Sequence, residues 1–234
     1  MKRVIDVVLI SDAKTEELKK VTKDAINSLT KADGTFYVYV IESNSDITYN
    51  EYNDFKWKHK VTTIHPEVPF GYHRYLNIGR KAGKSKYVAL CNNDLTFERD
   101  WANVIIDFME TNPIYKSVSP WCPQTQGDNS QHKGKIYEGY RVRGELAGWC
   151  IFQQRDIYDT YPGGKLDENF EFWFCDNDYA LTLETNNIKH ALVCDSVVNH
   201  HDGNLGKTGI TLDSKNQARI TMGQQKTFTD KWNK

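Results

Sequence analysis

The chain has 234 residues, 39% apolar, 26% charged and 12% aromatic, which is enough apolar mass for a core and excludes a disordered or collagen-like polypeptide. Lys and Arg number 30 against 31 Asp and Glu, a formal charge of −1, so no global basic field exists to hold a phosphate polymer and a nonspecific nucleic-acid binder is disfavoured. The length suits one large domain or two small ones; with no internal repeat or low-complexity linker, one domain is the better reading.

In chain order, Val4 to Ile10 is a Val- and Ile-rich run that suits a buried strand. Thr15 opens a helix with Glu16 and Glu17 in its first turn, and Leu18, Val21, Ala25, Ile26 and Leu29 recur at helical spacing. Asp33-Gly34 stops it, and Phe36 to Ile41 is a second strand, giving strand–helix–strand, the opening of a parallel α/β sheet. From Ser43 to Lys60 the chain is polar and aromatic without clear period, and Val61 to Ile64 reads as a short strand. Tyr75, Leu76, Ile78, Gly79 and Ala82 suit a helix ended by Gly83, and Tyr87 to Cys91 is another buried strand. Asp100 to Thr111 is a helix whose stripe of Trp101, Val104, Ile105, Phe108 and Met109 reads as core.

The second half changes character. Residues 121–145 read as a long loop, which in a compact domain is usually functional or mobile. Leu146 to Phe152 reads as a buried strand and Tyr161-Pro162-Gly163-Gly164 as a turn. Phe170 to Phe174 is strand-like and leads into a helix through Glu184, while a polar tail begins at His200-His201-Asp202-Gly203. The run from Leu146 to Phe152 is the longest apolar stretch without a charge, far short of a membrane span. The N-terminus starts like a signal peptide but meets Asp6 at once, with no small-residue cleavage site following. Cys91, Cys122, Cys150, Cys175 and Cys194 form no CxxC pair, so the chain reads as a reduced, cytoplasmic protein without a disulfide framework.

Three clusters can carry chemistry. Asn92-Asn93-Asp94 directly follows a strand, and ligands in open α/β sheets bind beyond the carboxyl ends of the strands. Residues i and i+2 of an extended chain point the same way, so Asn92 and Asp94 can both face such a ligand. A carboxylate there can hold a hard divalent cation that neutralises a diphosphate; a simple Asx turn is the alternative. Asp176 and Asp178 follow the aromatic run, with Asp167 and Glu168 upstream. A carboxylate against aromatic walls keeps a high proton affinity and can act as a general base. The alternative is a charged helix start, and Asp178, inside the first turn, is the more structural of the two. In His200-His201, adjacent side chains of a strand point opposite ways, so at most one meets a shared site, and a solvated pair and metal ligation both stay open. There is no HExxH, Walker A or GxSxG sequence, and Gly163-Gly164 lacks the dinucleotide-binding GxGxxG spacing.

These clusters, in their order, resemble glycosyltransferase family 2. After the N-terminal strand come Val40-Ile41-Glu42-Ser43-Asn44-Ser45-Asp46, Phe70-Gly71 with Asn77-Ile78-Gly79, and Leu90-Cys91-Asn92-Asn93-Asp94. Then follow Gly148 to Phe152, Arg155-Asp156, Gly164 to Phe170, Cys175-Asp176-Asn177-Asp178 and His200-His201-Asp202-Gly203, so the resemblance covers roughly residues 4–205. It implies a single α/β domain of GT-A, Rossmann-like fold, with a mixed, mostly parallel sheet flanked by helices. Residues 1–95 would form the nucleotide-sugar-binding half, 96–205 the acceptor-binding and catalytic half, and 206–234 a polar tail. It further implies a nucleotide-sugar donor, a UDP-sugar before others, a Mn²⁺ or Mg²⁺ ion, and inversion at the anomeric carbon.

By the same resemblance, Asn92-Asn93-Asp94 stands for the family's Asp-x-Asp motif, with Asp94 as metal or diphosphate contact, and Glu42, Asn44, Gly71 and Asn77 complete the donor side. Asp176 matches the base that deprotonates the acceptor hydroxyl, and His200 or His201 a histidine near metal and diphosphate. Asn92 replaces the motif's first acid, removing one charge from the metal site, and Cys175 replaces the Glu of a Glu-Asp pair. Trp149 and Trp173, with Phe172 and Phe174, can stack on a sugar or simply pack.

The acceptor implied by the family is a glycan or lipid-linked saccharide. Lys133, Lys135, Arg141 and Arg143 make residues 131–143 locally basic, and Lys207, Lys215, Arg219, Lys226, Lys231 and Lys234 follow in the tail. With a Lys-, Asn- and Tyr-rich composition in the style of a phage product, this leaves a hydroxylated base of phage DNA as a lesser acceptor hypothesis. Two other classes compete. A nucleotidyltransferase would release pyrophosphate, with Lys14 as the nearest basic residue to the first strand. A non-catalytic nucleotide-sugar-binding module would bind donor and leave it intact.

Overall fold

The computed structural model describes residues 3–49, 60–201 and 214–233, with only the backbone of 214–219. Asp202, Gly203, Lys207 and Lys234, and the side chains of Lys215 and Arg219, lie outside the described residues.

The first strand, β1 (Val4–Ser11), is buried along nearly its whole length, which is what a Val/Ile run covered on both faces requires. In helix α1 (Glu16–Lys31) the Thr15 side chain accepts from the Leu18 N–H at 3.3 Å, satisfying one of the free donors of the first turn. Strand β2 (Thr35–Glu42) returns parallel to β1, and β3 (Lys60–Ile64) pairs parallel to β2. Helix α2 (Tyr72–Ala82) leads to β4 (Tyr87–Cys91), parallel to β1 on its other side. Gly79 is what lets α2 lie so close to the sheet: a Cβ there would meet a Val8 methyl at 2.3 Å.

Beyond β4 the sheet becomes mixed. Short strand β5 (Leu95–Phe97) and helix α3 (Trp101–Thr111) follow, and β6 (Tyr115–Trp121) enters the main sheet. The expected long loop 121–145 contains helix α4 (Pro123–Gln126), strand β7 (Ile136–Glu138) and a one-turn 3₁₀ helix, all too short to print a period on the sequence. Strand β8 (Cys150–Gln154) pairs antiparallel with β4 and with β6. It starts four residues later than the apolar run suggests, because Leu146 and Ala147 are buried in a tight turn in which the Arg141 carbonyl accepts from the Leu146 N–H. Hydrophobicity alone cannot separate a buried turn from a strand.

Helix α5 (Cys175–Thr185) and the 12-residue β9 (Lys189–His200) follow. The aromatic run before α5 is not a strand: Phe174 adopts a left-handed φ of 60°, which breaks any extended course. Strand order is β3-β2-β1-β4-β8-β6-β9-β5, with β7 also on β9. Within the polar tail, helix α6 (Ser214–Trp232) returns against the domain through Phe228 and Trp232. Among the described residues no helix is long and apolar enough to cross a membrane.

Two apolar clusters cover the two faces of the sheet. One joins α1 and α3 through Ile26, Leu29, Trp101 and Ile105 to Phe152. The other joins α2 and α5 through Leu76, Tyr179 and Leu183 to Leu90 and Ile151. Polar ties lock the layers. Asp6, fully buried, accepts from Arg155 Nη2 at 2.6 Å and from Ser85 N at 2.8 Å, so its charge is paired and its lone pairs are used. His190 on β9 meets Ser117 Oγ at 2.8 Å, Ser117 meets Tyr179 Oη at 2.8 Å, and Gln153 Nε2 donates to Tyr179 at 2.6 Å. This buried chain spans β6, β8, α5 and β9.

Burial drives both His73 and His190 down to a pKa of about 4, so the fold keeps these imidazoles neutral. Unfolded, each takes a proton near the usual 6.5. As pH falls from about 6.5 towards 4 the unfolded chain binds more protons than the folded one, and stability falls. Urea denaturation at pH 7 and pH 4.5 should show this loss, and His190→Gln should make it shallower; equal pH slopes would reject the assignment.

Candidate active site

The carboxyl ends of β1 and β4, the turn before β8 and the N-terminus of α5 converge on one cleft. Its larger part, about 430 Å³, is lined by Asn92, Gly148, Trp149, Trp173, Asp176 and His200 among others. A narrower part, about 210 Å³, continues between Ile10, Ser11, Asp12, Phe70 and Asn93. Tyr72, Asn92 and Phe172 line both, so the two parts form one groove.

At its floor, Asn92 follows β4 and its N–H donates to the Trp149 carbonyl at 2.9 Å, extending the β4–β8 pairing by one residue. The Tyr72 hydroxyl lies 2.9 Å from both Asn92 Oδ1 and the Gly148 carbonyl and fixes the amide. Asn93 turns the other way, donating to Thr22 Oγ1 at 2.9 Å while still edging the narrow part. Asp94 returns to the side of Asn92, as the alternation of an extended chain dictates. It is 7% exposed, with Oδ1 3.3 Å from His200 Nε2 and no hydrogen bond to that oxygen. His200 stacks on Trp149 at 5.5 Å between ring centres, while His201 turns away to Thr96 Oγ1 at 2.7 Å. The strand alternation therefore selects His200 as the imidazole in the cleft.

Asp176 faces Asn92 and His200 around the larger part of the cleft from the second residue of α5. Burial pushes its carboxyl above the usual range, opposed by hydrogen bonding from the Asn177 N–H at 2.9 Å and by the charge of Arg143. The turn before β8 approaches it so closely that a Cβ on Gly148 would stand 2.7 Å from the Asp176 Cβ. Arg143, at a left-handed φ of 63°, lines the same rim. Asp178 points out of the cleft, buried against Lys231 and Trp232.

Other candidates sit elsewhere. Glu42 is fully buried beneath the cleft, where Oε1 accepts from the N–H groups of Ala13 and Asn44 at 3.0 and 2.9 Å, so it shapes the loop after β1. Asn44 Nδ2 donates to the Ala13 carbonyl at 2.9 Å and reinforces that loop. Gly71 precedes α2 between two cleft residues without lining the cleft itself. Asn77 is turned away: it donates to the Leu166 carbonyl and Glu168 Oε1 and accepts from the Leu166 N–H, stapling 166–168 onto α2. Arg141 is exposed and paired to Glu145 at 2.9 Å, outside the cleft. In the tail, Lys226 pairs with Asp230, and Lys231 with Asp167 and Asp178. Tyr72, Ser11, Asp12, Gln124 and Thr125 line the groove without having been singled out; only the position of Tyr72 beside Phe70-Gly71 offered a signal.

Among the described residues no three His, Cys, Asp or Glu side chains cluster as a self-sufficient metal site. Asp94 and His200 are the residues that would hold a divalent ion here: one buried carboxylate oxygen lacks a hydrogen bond, and an imidazole stands beside it.

Residues 5–180 match the family described as glycosyl transferase family 2. No curated protein matches the chain. Among solved structures, the 1–349 fragment of S. aureus TarS superposes with a TM-score of 0.62 at 13% identity, over 99% of this chain and 73% of that one. GalNAc-T7 with UDP, GalNAc and Mn²⁺ gives 0.66 at 13% identity, over 94% and 48%. The mannosyltransferase PcManGT of Pyrobaculum calidifontis, with GDP-Man and Mn²⁺, gives 0.62 at 14%, over 87% and 58%. The chain thus spans about half to three quarters of these proteins and shares their GT-A fold.

Gly148→Ala tests the close approach of the two elements. The added methyl must displace the first turn of α5, so urea denaturation should register a loss of about 1–3 kcal/mol; unchanged stability would mean the contact is loose.

Proposed function

The chain belongs to glycosyl transferase family 2, and we propose that it is an inverting glycosyltransferase moving a sugar from a nucleotide-diphosphate donor to a saccharide hydroxyl. The observation that carries this reading is the single cleft lined by both His200, which pairs with Asp94, and Asp176. The narrow part, walled by Phe70, Tyr72 and Phe172, suits a flat nucleoside, and the larger part suits two sugars. The solved relatives hold UDP or GDP-Man with Mn²⁺, which supports a nucleotide-sugar donor and a divalent ion here.

A Mn²⁺ or Mg²⁺ ion held by Asp94 and His200 would neutralise charge on the leaving diphosphate. Asn92 is fixed by Tyr72 at the junction of the two parts, where it can orient the donor by hydrogen bonding. Asp176 takes the proton from the acceptor hydroxyl as that oxygen bonds to the anomeric carbon and the carbon–phosphate oxygen bond breaks. Its raised proton affinity, set by burial, suits this task. One displacement inverts the anomeric carbon, so no protein nucleophile is required. Arg143 and Trp173 at the rim stand where the acceptor enters, and Trp149, stacked on His200, forms part of the floor. A DNA acceptor would need a continuous cationic face, whereas Arg141 is paired with Glu145 and Lys189 with Glu138, so a saccharide is the acceptor we retain.

Calorimetric titration of UDP and GDP with and without Mn²⁺, together with nucleoside diphosphate release from the matching sugars, tests the proposal. The wild type should show metal-dependent binding of one nucleotide and release of that diphosphate. Asp176→Asn should cut release by about 10²–10⁴-fold while nucleotide affinity stays within about twofold. Full turnover in Asp176→Asn would remove the base assignment. Pyrophosphate as product would point to nucleotidyl transfer, and binding without any release to a non-catalytic module.

A further inference from the structure

Helix α6 takes no part in the chemistry just proposed, yet its described half is tied throughout to residues 167–178. Gln224, 8% exposed, accepts from the Glu171 N–H at 2.8 Å and donates to the Asn169 carbonyl at 3.2 Å, using both ends of its amide on one stretch of backbone. One turn on, the Phe228 ring stacks on Phe174 at 5.1 Å and meets Phe170 edge-on at 6.4 Å. Next to it, Lys231 lies 2.8 Å from Asp167 and 2.7 Å from Asp178, and Trp232 Nε1 donates to Asp178 at 2.9 Å.

The held segment forms one wall of the cleft. Phe172, Trp173, Phe174 and Asp176 all line its larger part. Phe174 holds a left-handed backbone conformation that an aromatic residue adopts only when its surroundings impose it. Its carbonyl accepts from the Asp178 N–H at 2.8 Å, so its orientation sets the first turn of α5 and thereby the direction of Asp176. Gly148 closes on Asp176 from the opposite side. Asp176 therefore lies between Gly148 on one side and, on the other, a segment whose Phe174 ring packs on Phe228 of α6.

Resting on the reading of Asp176 as base, we propose that α6 is a brace for the acceptor side of the cleft, with Gln224 and Phe228 as positioning residues acting through 169–174. Of the walls of the narrow part, Phe172 belongs to the braced segment and Tyr72 touches it through the Glu171 carbonyl, whereas Ile10, Ser11, Asp12 and Phe70 lie outside these contacts. The brace should thus weigh on turnover far more than on nucleotide binding.

The test uses the full chain, the nucleotide sugar it turns over, Mn²⁺, and nucleoside diphosphate release as readout. Phe228→Ala and Gln224→Ala should each lower kcat at least tenfold with the affinity for the free nucleoside diphosphate and Mn²⁺ within about twofold, and Phe228→Tyr, which keeps the ring, should restore kcat. Should Phe228→Ala not fold, Phe228→Leu, which fills the space without a stacking face, carries the same expectation. Variants that fold and turn over like the wild type overturn the proposal, as do variants whose nucleotide affinity and kcat fall together, the mark of a general loss of structure. A wild type inert towards every donor would remove the enzymatic reading, and the brace with it; an active wild type with equally active variants would remove the brace alone.

Discussion

A buried carboxylate oxygen without a hydrogen bond is the constraint around which the cleft is organised. Leaving such an atom unsatisfied costs about 1–3 kcal/mol, more when it carries charge. The His200 imidazole beside it offsets part of that cost, and under the proposed function a bound cation would offset more. Strand β9 runs 12 residues and ends by setting His200 Nε2 3.3 Å from this oxygen of Asp94. Trp149 then fixes the imidazole plane by stacking, and Tyr72 fixes the neighbouring amide of Asn92.

The second carboxylate lives under opposite rules. Burial raises the proton affinity of Asp176, and hydrogen bonding from backbone N–H groups, that of Asn177 among them, together with the charge of Arg143, restrains the rise. Under the proposed function one carboxylate would face a cation and the other would receive a proton, and the difference between their surroundings comes from packing, since both belong to short polar stretches that read alike. Asp178 shows how local this is: two residues on, with Lys231 and Trp232 against it, a carboxylate becomes a docking post.

Where the physics is local, the sequence is legible. The first strands and helices follow from unbroken apolar runs, a Thr cap and Gly stops, and they fall within a few residues of expectation. Strand alternation limits the histidine pair to one cleft-facing ring, though only coordinates reveal that it is His200. What stays hidden is long-range. Asn77 and Glu42 have the chemistry of ligands and serve as internal staples, a fact decided by Leu166, Glu168 and Ala13 far away in sequence. Strands β5 and β7 are three residues each and exist only because β9 offers a partner. The aromatic run 170–174 has strand composition, but its course is dictated by α6 and by the Tyr72 N–H bonded to the Glu171 carbonyl.

The order of strands carries a consequence for biosynthesis. The four parallel strands β3-β2-β1-β4 are complete once Cys91 has left the ribosome, but β4, buried at every residue, must wait for residues 150–154 to cover its open side. Until then a nascent chain presents an apolar, unpaired sheet edge of the kind that invites aggregation. Translation that stalls or terminates between those two points yields a product with the parallel half of the sheet, without α5 and Asp176, and with a sticky flank, a natural client for chaperones and proteases.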